Sequence, residues 1–400
     1  MSWTKIRFLG DWAPEDRHVE KVNFNEFIFL NLEGPIMKVK KDSRSLKAGP
    51  ILSSENFINS KSQGVGILAN NHSFDYGYYG YKKTKQLLKK KKWFSVGADI
   101  TKSKAEKPLI FNLNDTVIGV LARCEIQFGV SQFNKPGVAS YNENIYKQIQ
   151  DLKKKTDLVI VSYHGAAEML PWPSPGRQDL FRSLIDMGAD IVYGHHAHTP
   201  QGWEKYSNGL IFYGLGNFCV NPLKWSWHPN GLWSLTPEIS IMKKKIKFQP
   251  RTSVIKEHDK KISVIESSRK EHSKHLSYLK LCNQPLKNRI LLEGLWQEAS
   301  LKMYHNHYAN WLEFNSINKI NIYRPLKRIT SKLINSILSK KTDNIPPKIK
   351  QYLLHYHLFA CDSHREAVST ALGLLSGELN DLRNKVTKKL IDKWMIDQND

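Results

Sequence analysis

The sequence predicts a layered α/β protein carrying a helical appendage, and three observations lead there. Short apolar runs of strand length recur up to about residue 245, alternating with segments of helical periodicity. Several of these runs stop abruptly at Asp, Glu, Asn or His. From about residue 250 the alternation gives way to a Lys-rich stretch and then to helix-period patterns alone. The expected organisation is an α/β body over 1–250, a basic connecting segment over 251–287 and a helical C-terminal region over 288–400.

Ile6–Gly10 reads as the first strand, with Asp11 at its carboxyl end, where layered α/β folds bind ligands. Taken alone, a Gly-Asp pair is more often a turn. Phe27–Leu30 is a second run, followed by Asn31 and Glu33, and a short helix is expected over 55–62. The third run, Val65–Ala69, leads into Asn70-Asn71-His72 with Asp75 three residues on, a set able to serve metal binding and proton transfer together. A helix with outward lysines should occupy Tyr78–Lys92. Leu109–Leu113 and Val117–Ala122 flank a hairpin turn at Asn114-Asp115, and a helix is expected at Glu143–Lys155. The strand 157–163 ends in His164-Gly165 with Glu168 close behind. The stiff loop Leu170–Gly176, with Trp172 and three prolines, either lines a pocket or covers a sheet edge.

Helix 177–187 leads to the most informative stretch, the strand 189–193 followed by Gly194-His195-His196-Ala197-His198. In extended chain His196 and His198 point the same way and can face one ion or an adjacent pair. A His-rich surface loop is the alternative. Leu210–Tyr213 runs into a glycine-spaced turn and Phe218, and 232–242 reads as one further strand. In the appendage, Ser363-x-x-Glu366 has the form of a capping box. His355, His357, Cys361 and His364 lie among apolar helical neighbours, so packing is their expected role rather than a second metal site. Arg123 and Arg177 lie outside the strand-end motifs and are expected to be ordinary surface or element-end residues rather than contacts to a substrate phosphate.

The formal charge of +23 points to an anionic partner, an anionic polymer or phosphorylated envelope precursor, or an acidic membrane surface. Nucleic acid is not expected, because 47 of the 60 basic residues are lysines, and the lysine runs at 38–41, 82–92, 153–155 and 243–247 lack the interleaved arginine and aromatics of a base-reading surface. Four scattered cysteines without a CxxC pair suit reduced thiols, and no apolar stretch reaches membrane-spanning length. With a strand starting within a few residues of Met1, the chain reads as cytoplasmic, with peripheral attachment at the inner membrane face as the other placement.

Asp11, Glu33, Asn71-His72, His164 and His196-x-His198 each follow an apolar run. Oxygen and nitrogen ligands without cysteine suit a hydrolytic two-metal site better than structural zinc. The ordered series Gly10-Asp11, Asn31-Leu32-Glu33, Asn70-Asn71-His72-x-x-Asp75-x-Gly77, His164-Gly165-x-x-Glu168, Gly194-His195-His196-x-His198 and Tyr213-x-Leu215-Gly216-Asn217-Phe218 resembles the bacterial capsule-synthesis proteins of the CapA type. Those are associated with poly-gamma-glutamate biosynthesis and belong to the calcineurin-like metallophosphoesterase superfamily. The resemblance spans about residues 5–245 and implies a four-layer α/β/β/α fold with metal ligands at one sheet edge. It implies two divalent ions, Mn, Fe or Zn, on Asp11, Glu33, Asn71, His164, His196 and His198, with Glu33 where the superfamily usually has a bridging aspartate. His72 would then be the proton donor to the leaving group, with Asp75 and Glu168 as further catalytic candidates. Ala13 stands where the superfamily has the histidine of its first Asp-x-His. The implied function is a metal-dependent hydrolase of phosphoester type in capsule or envelope polymer synthesis; the alternative is a non-catalytic factor that binds the polymer or its synthesis machinery.

Overall fold

The computed structural model describes residues 3–22, 24–38, 51–53, 63–309, 312 and 347–396, and the helix expected over 55–62 lies outside the described residues. Among them, the first sheet orders Lys245–Gln249, Glu238–Met242, Thr4–Ala13, Phe27–Leu32, Gly64–Ile67 and Phe94–Val96, with Asn217–Val220 beside the far end of Thr4–Ala13. The second orders Trp203–Tyr206, Gly209–Phe212, Ile191–His195, Leu158–His164, Thr116–Cys124 and Leu109–Leu113. Both are parallel at the centre; the second is antiparallel at both margins, and the first only on its Glu238–Met242 and Lys245–Gln249 side, its Phe94–Val96 edge being parallel. Central strands such as Phe27–Leu32 are buried on both faces, which is why they read as unbroken apolar runs.

The sheets pack face to face through aromatic pairs: Phe8 meets Tyr193 at 4.6 Å between ring centroids, and Phe27 meets Phe111 at 5.3 Å. Helix Gly77–Lys90 covers the outside of the first sheet, with Tyr81, Thr84 and Leu88 buried and its lysines outward. Helices Asn144–Lys153 and Pro175–Asp186 cover the second, where Ile145, Ile149, Phe181 and Leu184 join Leu121, Val159, Val161 and Val192 in one cluster. The expected α/β/β/α layering is therefore present.

Two glycines permit close backbone approaches beside the ligand edge. A Cβ on Gly10 would lie 1.9 Å from the Gly216 carbonyl oxygen, and one on Gly194 2.1 Å from that of Tyr213. Only glycine fits there. The first approach accompanies the pairing of Asp11 with Asn217.

The second half of the chain departs from expectation in three places. The strand expected over 232–242 is broken at Thr236-Pro237 into Trp233–Leu235 and Glu238–Met242, which belong to different sheets. The stretch 251–287, expected as a connecting segment, instead forms the hairpin Thr252–His258 and Lys261–Glu266 and the helix Arg269–Leu286. That hairpin joins Trp233–Leu235 and His18–Val22 in a small sheet and buries Val254, Ile255, Ile262 and Val264. Finally, Ser363 and Glu366 form no capping box. Cys361 is the N-cap of helix Asp362–Ser376, while Ser363 Oγ donates to Glu125 Oε2 at 2.6 Å and Ser174 Oγ donates to Glu366 Oε2 at 2.7 Å. Those long-range partners seat the C-terminal helices on the rim of the body.

Candidate metal centre

The parallel strands deliver their polar residues to one edge. Register pairs Asp11 with Asn31 across the first sheet and His164 with His195 across the second. Glu33, His196 and His198, all buried, bring one ligand atom each to within 4.8 Å of one another. His198 Nε2 lies 3.6 Å and His164 Nε2 3.8 Å from Glu33 Oε1. His198 Nδ1 lies 3.4 Å from Asp11 Oδ2, and His195 Nδ1 3.2 Å from Asp11 Oδ1. Asn71 Oδ1 meets His164 Nε2 at 3.0 Å, which draws the turn after the third strand into the same cluster.

The expected extended conformation at the histidines is not found. His196 and His198 both have left-handed backbones, φ 83° and 54°. Such conformations cost about 1–3 kcal/mol each and persist where surroundings over-determine them. The turn brings the two rings to a centroid separation of 5.9 Å facing the carboxylates. His72 stands at the side, its Nδ1 2.6 Å from Asp75 Oδ2, which also accepts from the Ile51 N–H at 2.8 Å. Asp75 therefore orients His72 rather than facing the cluster. Beside them opens a cleft of about 340 Å³ lined by Asn71, Asp75, Phe128 and, from the appendage, Tyr356.

Asp11 and Glu33 are fully buried, and burial opposes the charged form of Asp11. For Asp11 that penalty is outweighed by the hydrogen bond and charge of His195, by His198 and by Asn31, and its carboxyl stays below the usual range. Burial opposes protonation of His198 too, yet Glu33 and Asp11 raise it to about 9. His164 goes the other way: burial and the neighbouring imidazoles hold it well below the ordinary value. Asp11 Oδ2 accepts no hydrogen bond among the described residues. Two buried carboxylates among imidazole nitrogens form a donor set that fits divalent cations of borderline hardness.

The family model for bacterial capsule synthesis protein PGA_cap matches residues 16–222, a span holding every expected ligand except Asp11. The chain belongs to this family. Capsule biosynthesis protein CapA of Bacillus anthracis is 33% identical over 218 residues, covering 51% of this chain and 53% of that protein. PGA biosynthesis protein CapA of Bacillus subtilis is 31% identical over 205 residues, covering 49% and 54%. The chain thus spans about half the length of the curated relatives it matches. Among solved structures, a novel phosphatase from Mycoplasma pneumoniae aligns over 70% of this chain and 97% of its own at 14% identity and a TM-score of 0.38. A 5'-nucleotidase from Candida albicans aligns over 72% and 59% at 10% identity and a TM-score of 0.35. Neither likeness is close enough to bear on the chemistry.

In this PGA_cap chain the predicted residues Asp11, Glu33, Asn71, His164, His196 and His198 come together, and Glu168 reaches the mouth of the cluster, 3.7 Å from His196 Nε2 and half exposed. Sequence reasoning left out four contributors. His195 backs Asp11. Asn31 donates to Asp11 Oδ1 at 2.7 Å, and Asn217 Oδ1 meets His198 Nδ1 at 3.0 Å. All three lie inside motifs already noted. Glu125, fully buried, lies 3.9 Å from His196 Nε2. It follows Thr116–Cys124, so the strand-exit rule that found Asp11 would have found it had the strand been drawn to its full length. Burial pushes Glu125 up to about 6, against the charge of Arg177 and the hydrogen bond from Ser363. Arg177 is a buried brace: it bonds the Gly165 carbonyl and lies 4.4 Å from the Tyr163 ring centre. Arg123 is spent on the carbonyls of Ala122 and Glu106. Trp172 is buried in the core, whereas Trp225 lies against His198 at 4.3 Å.

Proposed function

We propose that this chain is a metal-dependent hydrolase of phosphoester-type bonds acting in capsule or envelope polymer biosynthesis. Asp11, Glu33, Asn71, His164, His196 and His198 would hold two divalent ions. The observation that carries the reading is the buried convergence of Glu33, His196 and His198 beside Asp11 and His164. The chemistry such ions supply is an activated water and stabilisation of charge developing on a phosphoryl oxygen.

The chain's own groups perform the rest. His195 and Asn31 fix Asp11, Asn217 fixes the ring of His198, and Asn31 and Asn71 bracket the two nitrogens of His164. Asp75 binds Nδ1 of His72 and orients the ring, and Nε2 is the nitrogen that would deliver a proton to a leaving oxygen. The cleft beside Asn71 and Asp75 admits the substrate, and the basic charge of +23 favours an anionic one.

The test is hydrolysis of a panel of phosphoesters by the metal-loaded chain and by His72→Ala. Turnover should fall by about 10²–10⁴ with metal content unchanged, the usual contribution of a general acid. If no panel member is hydrolysed while an anionic polymer such as polyglutamate binds, the protein is a polymer-binding or assembly factor instead. Unchanged turnover in the variant would remove the role given to His72.

A further inference from the structure

His357, Cys361 and His364 straddle the joint between helices Pro347–Ala360 and Asp362–Ser376, and that joint turns them onto a common point. Cys361 has an extended backbone there, φ −72° and ψ 123°. The two imidazole nitrogens and the sulfur all lie within 4.8 Å of one another, with the thiol buried and both rings half-buried. Side-chain proximity of this kind needs a reason. Apolar packing, the role their neighbours suggest, does not by itself require three ligand atoms to converge.

We propose that His357, Cys361 and His364 form a second metal site, for a thiophilic ion of the Zn²⁺ type, separate from the oxygen- and imidazole-rich centre. Thiolate and imidazole together select zinc or cobalt over the harder ions that carboxylate-rich sites accept. The distances suit it. His357 Nε2 and His364 Nε2 are 2.8 Å apart, held by a hydrogen bond. Tetrahedral zinc with bonds of 2.0–2.1 Å needs nitrogens about 3.3 Å apart, so the rings must open by only about half an ångström as an ion replaces the shared proton.

Supporting residues already fix both rings. Tyr308 OH meets Nδ1 of His364 at 2.5 Å while Nε2 of His364 meets His357 Nε2, which is how outer-shell groups orient metal-ligating histidines. Tyr308 comes from the π-helical turn Tyr304–Tyr308, a distortion frequent at functional sites. Phe128 stacks on His357 at 4.7 Å with ring planes 11° apart. The Cys361 thiol donates to Glu125 Oε1 at 3.4 Å, so the proton that an ion must displace has an acceptor in place. Three protein ligands leave a fourth position for solvent. Because Phe128 and Tyr356, next to His357, line the cleft beside the first centre, an ion here would also fix that wall.

Co²⁺ titration of the full chain tests the site, because a thiolate–cobalt bond gives a near-ultraviolet charge-transfer band that the cysteine-free first centre cannot produce. The wild type should show one such band, saturating at one equivalent. Cys361→Ser should lose the band while visible cobalt absorption from the first centre remains. His357→Ala, at a half-buried position where folding is safer, should weaken the band's apparent affinity by at least about tenfold. The His196→Ala, His198→Ala variant should keep the band, which separates failure here from failure of the first centre. No band in the folded wild type at saturating Co²⁺, or an undiminished band in folded Cys361→Ser, would overturn the proposal.

Discussion

Glu33→Gln probes the first centre with the least disturbance of shape. Glu33 is fully buried, with His198 Nε2 at 3.6 Å and His164 Nε2 at 3.8 Å from Oε1. The amide keeps the volume but removes the charge that attracts a cation. An ion supplied at 100 times its dissociation constant stabilises the wild type by about 2.7 kcal/mol. At about 2.1 cal/mol/K per residue, the 400-residue chain has an unfolding entropy of about 0.8 kcal/mol/K, so that ion raises Tm by about 3 °C. The variant should lose this rise. Without metal it should unfold at or above the wild-type temperature, because the change removes a buried charge while His198 keeps Asp11 at 3.4 Å. Thermal unfolding followed by circular dichroism, with and without Mn²⁺, reads both quantities. The same metal-dependent rise in both proteins would refute the assignment of Glu33 as a ligand. A fall of several degrees in the metal-free variant would show that Glu33 serves the fold through its imidazole contacts.

Two other perturbations separate proton delivery and stability from metal binding. Asp75→Asn should lower phosphoester turnover by about 10²–10⁴ by releasing His72, with Mn²⁺ content unchanged, since its amide oxygen can still accept from Ile51 N. Burial pushes His275 down to about 4, with Glu271, Lys274 and His272 as its charged neighbours, while its ring stacks on Trp233 at 4.0 Å. Below pH 6.5 the unfolded chain therefore binds a proton that the folded chain refuses, and stability falls as pH drops toward 4 and then levels. His275→Phe keeps the stack and should flatten the fall between pH 7 and pH 5 by about 1 kcal/mol after solvent screening, read from urea unfolding at the two pH values.

What the sequence made legible was whatever depends on short-range pattern. Strands buried on both faces read as apolar runs, and the residues that end them, Glu33, His164 and the histidines after Gly194, fall at the carboxyl edge of parallel strands by topology alone. What it hid depends on partners far along the chain. Ser363 and Glu366 look like a local cap, but their side chains bond Glu125 and Ser174, about 190 to 240 positions away. The Lys-rich 251–287 stretch reads as a linker because its hairpin buries only some of its side chains, and its sheet is completed by His18–Val22 from the opposite end of the chain. The left-handed turns at His196 and His198 have no glycine to announce them. Glu125 escaped notice because its strand runs two residues beyond the apolar run that marks it.

The most direct test of the central claim, a buried centre of oxygen and imidazole ligands that holds metal, is the Mn²⁺ content per folded chain. It is to be measured in the wild type and in the His196→Ala, His198→Ala variant, purified without chelator and reloaded. Mn²⁺ is hard enough to avoid the Cys361 cluster. A two-metal centre predicts about two ions per wild-type chain and a clear loss in a variant that remains folded. No Mn²⁺ in the wild type, or equal content in the two proteins, would contradict it.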